Sequence, residues 1–344
     1  MHRNSTLLHN AVILFSLAFH GASAAAVNTE KDDCLLKALK SEDKNTTIQQ
    51  LLELCVERQE PIRKAGLISK RIAAERQSEW DPYVITPHKM NYILPVSVTD
   101  GINSEAYDAF GEWAENLENI ESKFQISLKV PLNHKSLLID GDGLYVGITL
   151  QSWWQVYSQN ISKPFRETNY QPEIFYLTPL EWSPLESNTG LAFGFEHQSN
   201  GRSQLLSRSW NRLYLQLLME KGNFAMALRP WWRLPEDDKV AQFNEDGTIQ
   251  LPFLDEGDDN PDIGDYMGHF ELSMAYAWND YEISFKGRQN FAKHKGGGEL
   301  GFTFPLWGKL RGYLQYNAGY GESLIDYNHS QQRIGIGFAL TNAL

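Results

Sequence analysis

Apolar and polar residues alternate along most of the chain beyond Asp81, in short segments separated by turn-like clusters. This alternation is typical of β-strands, because successive side chains of a strand point to opposite faces. One segment, HFELSMAYAW, sets Leu272, Met274, Tyr276 and Trp278 against Glu271, Ser273 and Ala275. Strands with two unlike faces need a different environment on each side, so the pattern favours a sandwich or a barrel.

Twelve segments carry this pattern: YILPVSV (92–98), KFQISLKVPL (123–132), LYVGITLQSWWQVYS (144–158), EIFYLTPLEW (173–182), LAFGFEHQS (191–199), SWNRLYLQLLME (209–220), NFAMALRPWWRL (223–234), HFELSMAYAW (269–278), YEISFKGRQNF (281–291), ELGFTFPL (299–306), LRGYLQYNAGY (310–320) and RIGIGFAL (333–340). An even number of antiparallel strands suits a closed barrel with both chain ends on one side. The predicted fold is therefore all-β, a 12-stranded antiparallel transmembrane β-barrel. A soluble sandwich would have shorter spans and turns less flanked by aromatic residues.

Tryptophan residues lie toward the ends of several predicted strands. Aromatic side chains concentrate where a membrane protein crosses the interface between lipid and water. We interpret six of them as candidates for such girdles: Trp153, Trp154, Trp231, Trp232, Trp278 and Trp307.

The N-terminus has the features of a secretory signal peptide. A basic start, the apolar stretch LLHNAVILFSLAF and the small residues HGASAAA predict a signal peptide over 1–24, and hence export. Disulfides persist in oxidising compartments, so we expect Cys34 and Cys55 to be bridged, with two free buried thiols as the alternative. The 31 basic against 43 acidic side chains, without a basic tract, argue against a nucleic-acid partner.

Two further segments depart from the strand pattern. Residues 25–80 have apolar positions at helical spacing and predict a periplasmic N-terminal extension, either a cap or a partner-binding helix; 81–344 would form the barrel domain. The acidic segment 235–265 is too long for a periplasmic turn and predicts an extracellular loop. Its DEGDDNPD stretch lacks the spacing of an EF-hand, so it is either a calcium site or a solvated loop.

One predicted hairpin carries polar side chains on its otherwise apolar face. Alternation places His197 and Ser199 on the lipid-facing side, and antiparallel pairing sets His197 opposite Asn211 and Ser199 opposite Ser209. This geometry suits Ser199 as a nucleophile, His197 as its general base and Asn211 as the acceptor that orients the imidazole. The alternative is that these residues only mark the edge of the membrane.

Other nucleophile patterns are weaker. The chain has no G-x-S-x-G motif, and Ser323 in GESLIDYN has no histidine at matching strand spacing. The nine histidines include no zincin pair, which argues against a metalloprotease.

Several longer motifs resemble those of outer-membrane phospholipase A of Gram-negative bacteria: HQSNGRS, SRSWNRLY, SWWQ, SKPFRETNY, DDNPDI and GYGESLIDYN. The resemblance runs from about Asp81 to the C-terminus. It implies a 12-stranded barrel that hydrolyses sn-1 and sn-2 acyl esters of phospholipids and also lysophospholipids. It further implies an enzyme that is active in the outer membrane as a calcium-bound homodimer.

The resemblance also implies roles for individual residues of the hairpin. His197, Ser199 and Asn211 match the family's catalytic residues, and the backbone amide of Gly201 resembles its oxyanion donor.

Positions of the family's metal and dimer contacts can be matched in the same way. The implied calcium ligands are Ser207, the carbonyl of Arg202 and, from the second subunit, Ser162. Asp259 resembles a ligand of a second calcium site, although Gln204 replaces its aspartate partner, and Gln151 matches a residue that the family buries in its dimer interface.

Two other functions compete with hydrolysis. A passive channel or structural barrel would fit the polar interior equally well, but a pore gains nothing from a serine on its lipid side. A surface adhesin or receptor is supported only by the acidic loop.

Overall fold

The computed structural model describes Thr47, residues 66–81, 83–238, 257–308 and 310–341, and Ala343. The predicted signal peptide, Cys34, Cys55 and most of the predicted extension therefore lie outside the described residues. The described chain from residue 66 onward belongs to one compact unit.

The described residues contain 13 strands: β1 Thr86–Pro87, β2 Tyr92–Thr99, β3 Ile120–Pro131, β4 Gly143–Trp154, β5 Phe165–Leu180, β6 Asn188–Ser199, β7 Ser209–Lys221, β8 Phe224–Arg233, β9 Phe270–Trp278, β10 Tyr281–Asn290, β11 Lys295–Trp307, β12 Leu310–Tyr320 and β13 Ser330–Ala339. Each strand is antiparallel to its neighbours, and β2 pairs with both β3 and β13. Strands β2–β13 therefore close into a ring, which confirms the predicted 12-stranded barrel, while β1 only pairs beside β3.

Two barrel strands begin well before the predicted segments. β5 begins at Phe165 rather than Glu173, and β11 begins at Lys295 rather than Glu299. The added parts read FRETNYQP and KGGG, in which charged residues and glycines hide the alternation. Backbone pairing continues through them, since Thr168 pairs with Ser152 and Gly297 pairs with both Arg288 and Gly319.

The outer wall of the barrel is apolar and the inner wall is charged. Phe193 and Leu215 are 56 % and 47 % exposed on the outside, whereas Glu173, Glu196 and Arg212 are buried inside. An apolar exterior around a polar interior is the arrangement that lipid requires of a barrel.

The girdle interpretation holds for only some of the tryptophans. Trp153 and Trp231 are buried inside the barrel, so the prediction is wrong for them. Adjacent residues of a strand point to opposite faces, so the Trp153–Trp154 and Trp231–Trp232 pairs cannot lie wholly outside. Trp232 and Trp307 are exposed, at 67 % and 85 %.

Short helices accompany the barrel in the described residues: α1 Leu67–Arg76, α2 Glu112–Glu115 and α3 Ile263–Met267, with 3-10 turns at Glu105–Phe110, Pro184–Glu186 and Gln204–Leu206. None of these described helices is long and apolar enough to cross a membrane.

Helix α1 is fixed to the barrel at both of its ends. The Glu220 carboxylate accepts hydrogen bonds from the backbone N–H groups of Ile68 and Ser69. These groups lie at the N-terminus of α1, where the helix dipole favours a negative charge. Further along, Glu75 forms an ion pair with Lys129 over 2.7 Å. The helix thereby lines a cavity of about 290 Å³ inside the barrel.

The connections differ in length at both ends of the barrel. At the terminal rim, where β2 begins and β13 ends, the hairpins 222–223 and 279–280 are tight turns, whereas the connection 132–142 is long. At the opposite end, the site rim, lie the connections 200–208, 234–269 and 321–329. The acidic segment predicted to be a loop lies in the second of these.

Buried ion pairs join the site rim to the barrel interior. Glu322 pairs with Lys123 and Arg333, each over 2.9 Å, and Glu121 pairs with Arg166 over 2.7 Å and with Arg333 over 2.9 Å. All five side chains are at most 4 % exposed. Because an uncompensated buried charge is costly, this network holds the connection 321–329 in one position.

Candidate active site

The hairpin of β6 and β7 brings the three predicted catalytic residues to the outer wall at the site rim. His197 pairs with Asn211 and Ser199 pairs with Ser209 across the two strands, which confirms the predicted register. All four side chains are half-buried on the same face as the exposed Phe193 and Leu213. The site is therefore accessible from the lipid side and not from the barrel interior.

A hydrogen bond joins two members of this group. His197 Nδ1 lies 2.9 Å from Asn211 Oδ1. An amide oxygen only accepts, so the contact requires a proton on Nδ1 and leaves the Nε2 lone pair free to accept one. Among hydrogen bonds of the described residues, none joins His197 to Ser199. In enzymes without bound substrate, the distance between a nucleophile and its general base is often too great for a hydrogen bond. His197 and Ser199 are residues i and i+2 of one strand, so their side chains lie next to each other on the same face.

The connection 200–208 is organised by a buried asparagine that the sequence did not indicate. Asn200 Oδ1 accepts from the backbone N–H groups of Arg202 and Arg208, over 3.3 and 3.0 Å. Its Nδ2 donates to the Leu206 carbonyl over 2.7 Å. These bonds fold the chain back on itself directly after Ser199, and they set the positions of the predicted oxyanion donor and calcium ligands.

Gly201 adopts a backbone conformation that favours glycine. Its φ is +62°, and a Cβ at this position would lie 3.1 Å from Tyr170 Cε2. A larger residue would therefore strain the backbone and crowd Tyr170, which pairs with Ser199. The sequence identified this glycine from its motif but not its left-handed geometry.

Two predicted calcium ligands are in direct contact. Ser207 Oγ donates to Asp259 Oδ2 over 2.6 Å, and Ser209 Oγ donates to the same oxygen over 3.2 Å. The backbone of Asp259 is adjacent to Asn260, whose Oδ1 accepts from the Ser209 N–H. The acidic stretch is thus joined to the hairpin of β6 and β7 rather than separate from it.

The predicted ligand oxygens are of the type that calcium binds, but they are too few for a complete site. Hydroxyl, carbonyl and carboxylate oxygens are the ligands that calcium prefers, and it takes six to eight of them. Ser207, Asp259 and the Arg202 carbonyl supply too few. Within the described residues, no group of three or more His, Cys, Asp and Glu side chains could hold a metal by itself.

Ser162 lies in the connection 155–164 at the same rim. Trp154 Nε1 donates to its carbonyl over 2.7 Å, and the chain then enters β5 at Phe165, whose carbonyl accepts from Arg202 Nη2 over 3.0 Å. Ser162 itself is only half-buried, so its side chain is accessible to another molecule.

The dimer-interface prediction for Gln151 is wrong. Gln151 faces the barrel interior, where it lines the cavity and donates to the Tyr92 hydroxyl over 3.0 Å. The alternation of β4 places the exposed Val146 and Ile148 on the outer wall and the residues of odd number inside. A side chain on the inner wall cannot contact a second barrel.

The rival nucleophile is poorly placed. Ser323 is 3 % exposed, and its hydroxyl donates to Asp326 Oδ2 over 2.7 Å. Asp326 also pairs with Arg166, so GESLIDYN contributes Glu322 and Asp326 to the buried ion pairs. We interpret this motif as structural.

The sequence also gives no indication of a carboxylate that lies next to Asn211. Glu236 follows β8, and its Oε1 accepts from Asn211 Nδ2 over 3.0 Å. Its position three residues after the strand carries no motif, so only the folded hairpin reveals the contact.

A family model described as phospholipase A1 matches residues 68–340. The chain belongs to this family. Phospholipase A1 of Escherichia coli K12 is 37 % identical over 284 residues, which cover 82 % of this chain and 90 % of the relative. Phospholipase A1 of Klebsiella pneumoniae is also 37 % identical, over 79 % of this chain and 87 % of the relative.

Solved structures of outer membrane phospholipases agree with the barrel. Outer membrane phospholipase A from Escherichia coli superposes with a TM-score of 0.69 at 38 % identity, covering 79 % of this chain and 98 % of that structure. The outer membrane phospholipase of Salmonella typhi, solved as a dimer with bound calcium, has the same TM-score and coverage at 36 % identity.

Proposed function

We propose that the protein hydrolyses acyl esters of phospholipids, at sn-1 and sn-2 and in lysophospholipids, by a Ser199–His197–Asn211 triad in the outer membrane. The observation that carries this proposal is the 2.9 Å contact between His197 Nδ1 and Asn211 Oδ1 on the lipid-facing wall, beside Ser199. A neutral orienting group suits this location, because an aspartate would place a charge next to hydrocarbon.

The chemistry follows from the positions of the protons. Ser199 Oγ attacks the ester carbonyl carbon while His197 Nε2 takes the hydroxyl proton. The N–H of Gly201 stabilises the negative oxygen of the tetrahedral intermediate. His197 then returns the proton to the glycerol oxygen, which leaves an acyl group on Ser199. In the second half, His197 Nε2 takes a proton from water and the water oxygen attacks the acyl carbon. His197 then returns the proton to Ser199 Oγ as the bond to the acyl group breaks and the fatty acid is released.

Calcium is the cofactor that the oxygen set would hold. Ser207, the Arg202 carbonyl and Asp259 would provide ligands from one chain, and the partner subunit's Ser162 would add another. Bound calcium would supply positive charge that polarises the ester carbonyl. These three ligands from the described residues are fewer than calcium takes, which supports this sharing of the site.

Homodimerisation through the outer wall fits the same arrangement. The triad lies on a lipid-facing surface, so two barrels that meet there bring Ser162 of one chain toward Ser207 of the other. A monomer in an intact outer leaflet would stay inactive, and phospholipid that reaches this leaflet would favour both pairing and turnover.

Fatty-acid release from detergent-dispersed phosphatidylethanolamine tests the proposed function. The refolded wild-type protein should release fatty acid in calcium, and Ser199→Ala should lose nearly all turnover while keeping its thermal stability. Ser183→Ala at the terminal rim is the matched control, because Ser183 is exposed and distant in the fold. Ser199→Ala with more than a few per cent of wild-type turnover would exclude Ser199 as the nucleophile.

A further inference from the structure

The side chain of Asn211 bridges two groups rather than serving His197 alone. Its Oδ1 lies 2.9 Å from His197 Nδ1, and its Nδ2 lies 3.0 Å from Glu236 Oε1. The backbone supports the second contact, because the Leu234 N–H donates to the Asn211 carbonyl over 2.8 Å. Glu236 is therefore held against the amide by the chain that leaves β8.

The two contacts are not independent of each other. An ionised carboxylate only accepts hydrogen bonds, so the NH₂ group of Asn211 must face Glu236. The amide oxygen then must face His197, which requires the imidazole proton on Nδ1. With no carboxylate, the amide of Asn211 could turn over and present its NH₂ to His197 instead. That tautomer would leave Nε2 protonated and unable to accept the proton of Ser199.

We infer that Glu236 is a positioning residue of the active site, which fixes the orientation of the Asn211 amide and thereby the tautomer of His197. This inference rests on the proposed function and extends the three-residue arrangement by one position. It also explains how a neutral amide can orient His197 in one sense only, although its oxygen and nitrogen have nearly the same shape.

The charges around Glu236 act on its ionisation in both directions. Asp258, Asp259 and Arg233 lie near it, and Arg233 pairs with Asp258 over 2.5 Å. Burial and the nearby carboxylates of Asp258 and Asp259 raise the pKa of Glu236, while the hydrogen bond from Asn211 and the charge of Arg233 oppose that rise. The contact to Asn211 therefore stabilises the ionised form on which the orientation depends. The Asn211 amide lies between the carboxylate and the imidazole, so Glu236 does not place its charge directly against His197.

Steady-state kinetics of Glu236→Leu and Glu236→Gln test the inference. Leu removes the acceptor, so kcat should fall about tenfold, the usual effect of one hydrogen bond to a charged group, with little change in KM. Gln keeps an acceptor oxygen but can also present its NH₂, so it should restore part of kcat. Asp238→Asn is the matched control, because it removes a neighbouring acidic charge that is exposed and outside the site.

A double variant separates positioning from a merely structural role. If Glu236 acts through Asn211, then Asn211→Ala with Glu236→Leu should be no slower than Asn211→Ala alone. Losses that multiply, or a wild-type kcat in Glu236→Leu while Asn211→Ala is impaired, would overturn the inference and leave the proposed function standing. An unaffected Ser199→Ala would instead overturn the proposed function. Thermal unfolding of each variant identifies losses that come from misfolding.

Discussion

Ser207 Oγ and Asp259 Oδ2 are joined by a hydrogen bond of 2.6 Å, although the two residues lie on different connections of the site rim. The family resemblance assigns them to two separate calcium sites. Their contact means that one ion bound at Ser207 would lie next to the Asp259 carboxylate. The acidic stretch and the hairpin of β6 and β7 therefore form one oxygen-rich region.

Removal of calcium should abolish turnover, and added calcium should restore it. Asp259→Asn should raise the calcium concentration needed for half-maximal activity by about tenfold, because charged ligands determine much of a calcium site's affinity. Activity titrated against free calcium measures this shift. Asp237→Asn is the control, since Asp237 is an exposed acidic residue of the same connection. An unchanged calcium titration in Asp259→Asn would remove Asp259 from the site.

Gly201→Ala should lower kcat more than it lowers stability. The added methyl group strains the backbone at φ +62° and crowds Tyr170, which displaces the proposed oxyanion donor. Loss of one such donor costs about 100-fold or more in kcat, whereas the strain costs about 1 kcal/mol of unfolding free energy. Gly222→Ala is the matched control, because Gly222 has φ +57° with no atoms close to its Cβ position, at the terminal rim. Equal kinetics for the two variants would contradict the role of Gly201.

Asp142 should make the barrel sensitive to acid. Burial disfavours its charge, but hydrogen bonds from Tyr176 and from three backbone N–H groups outweigh this and lower the pKa of Asp142 to about 2. A pKa below that of the unfolded chain stabilises the fold above about pH 4 and loses this contribution between about pH 4 and 2. The thermal midpoint of the wild type should therefore fall over this range. Asp142→Asn should have a lower midpoint at pH 7 and a smaller further loss in acid; a parallel pH dependence in both proteins would refute the assignment.

Glu322→Gln should destabilise the protein strongly. The substitution leaves Lys123 and Arg333 without one of their buried partners, and breaking a buried pair costs about 3–5 kcal/mol. Glu186→Gln is the comparison, because its pair with Lys221 is exposed and such pairs contribute about 1 kcal/mol or less. Denaturant unfolding in detergent measures both values. A small effect of Glu322→Gln would show that water or another side chain compensates these cations.

Alternation predicts the barrel strands well where one face of a strand contacts lipid and the other contacts the polar interior. It fails where a strand has different neighbours. At the start of β5, Arg166 and Glu167 are buried in ion pairs and polar contacts, so neither face of FRETNY reads as apolar. At the start of β11, glycines are required by close backbones, since a Cβ on Gly297 would lie against the Tyr320 carbonyl. Both causes are contacts with other strands, which no local pattern contains.

The candidate site also contains both residues that local sequence patterns predict and residues that they do not. His197, Ser199 and Asn211 could be predicted because strand periodicity and antiparallel pairing fix their shared face. Asn200 and Glu236 could not, because their partners are set by the path of two irregular connections. Gln151 was assigned from its motif alone, and its neighbours in β4 already placed it on the inner wall.

The position of the triad on the outer wall determines how substrate would arrive. Phospholipid would reach Ser199 by lateral diffusion in the surrounding leaflet rather than from water. The quantity that governs the rate is then the mole fraction of phospholipid at the barrel surface, not its bulk concentration. Adding inert detergent at a constant bulk concentration of phospholipid should slow turnover, because the mole fraction of phospholipid around each barrel falls and encounters with Ser199 become rarer. Phospholipid would therefore enter the active site across the lipid-facing wall of the barrel.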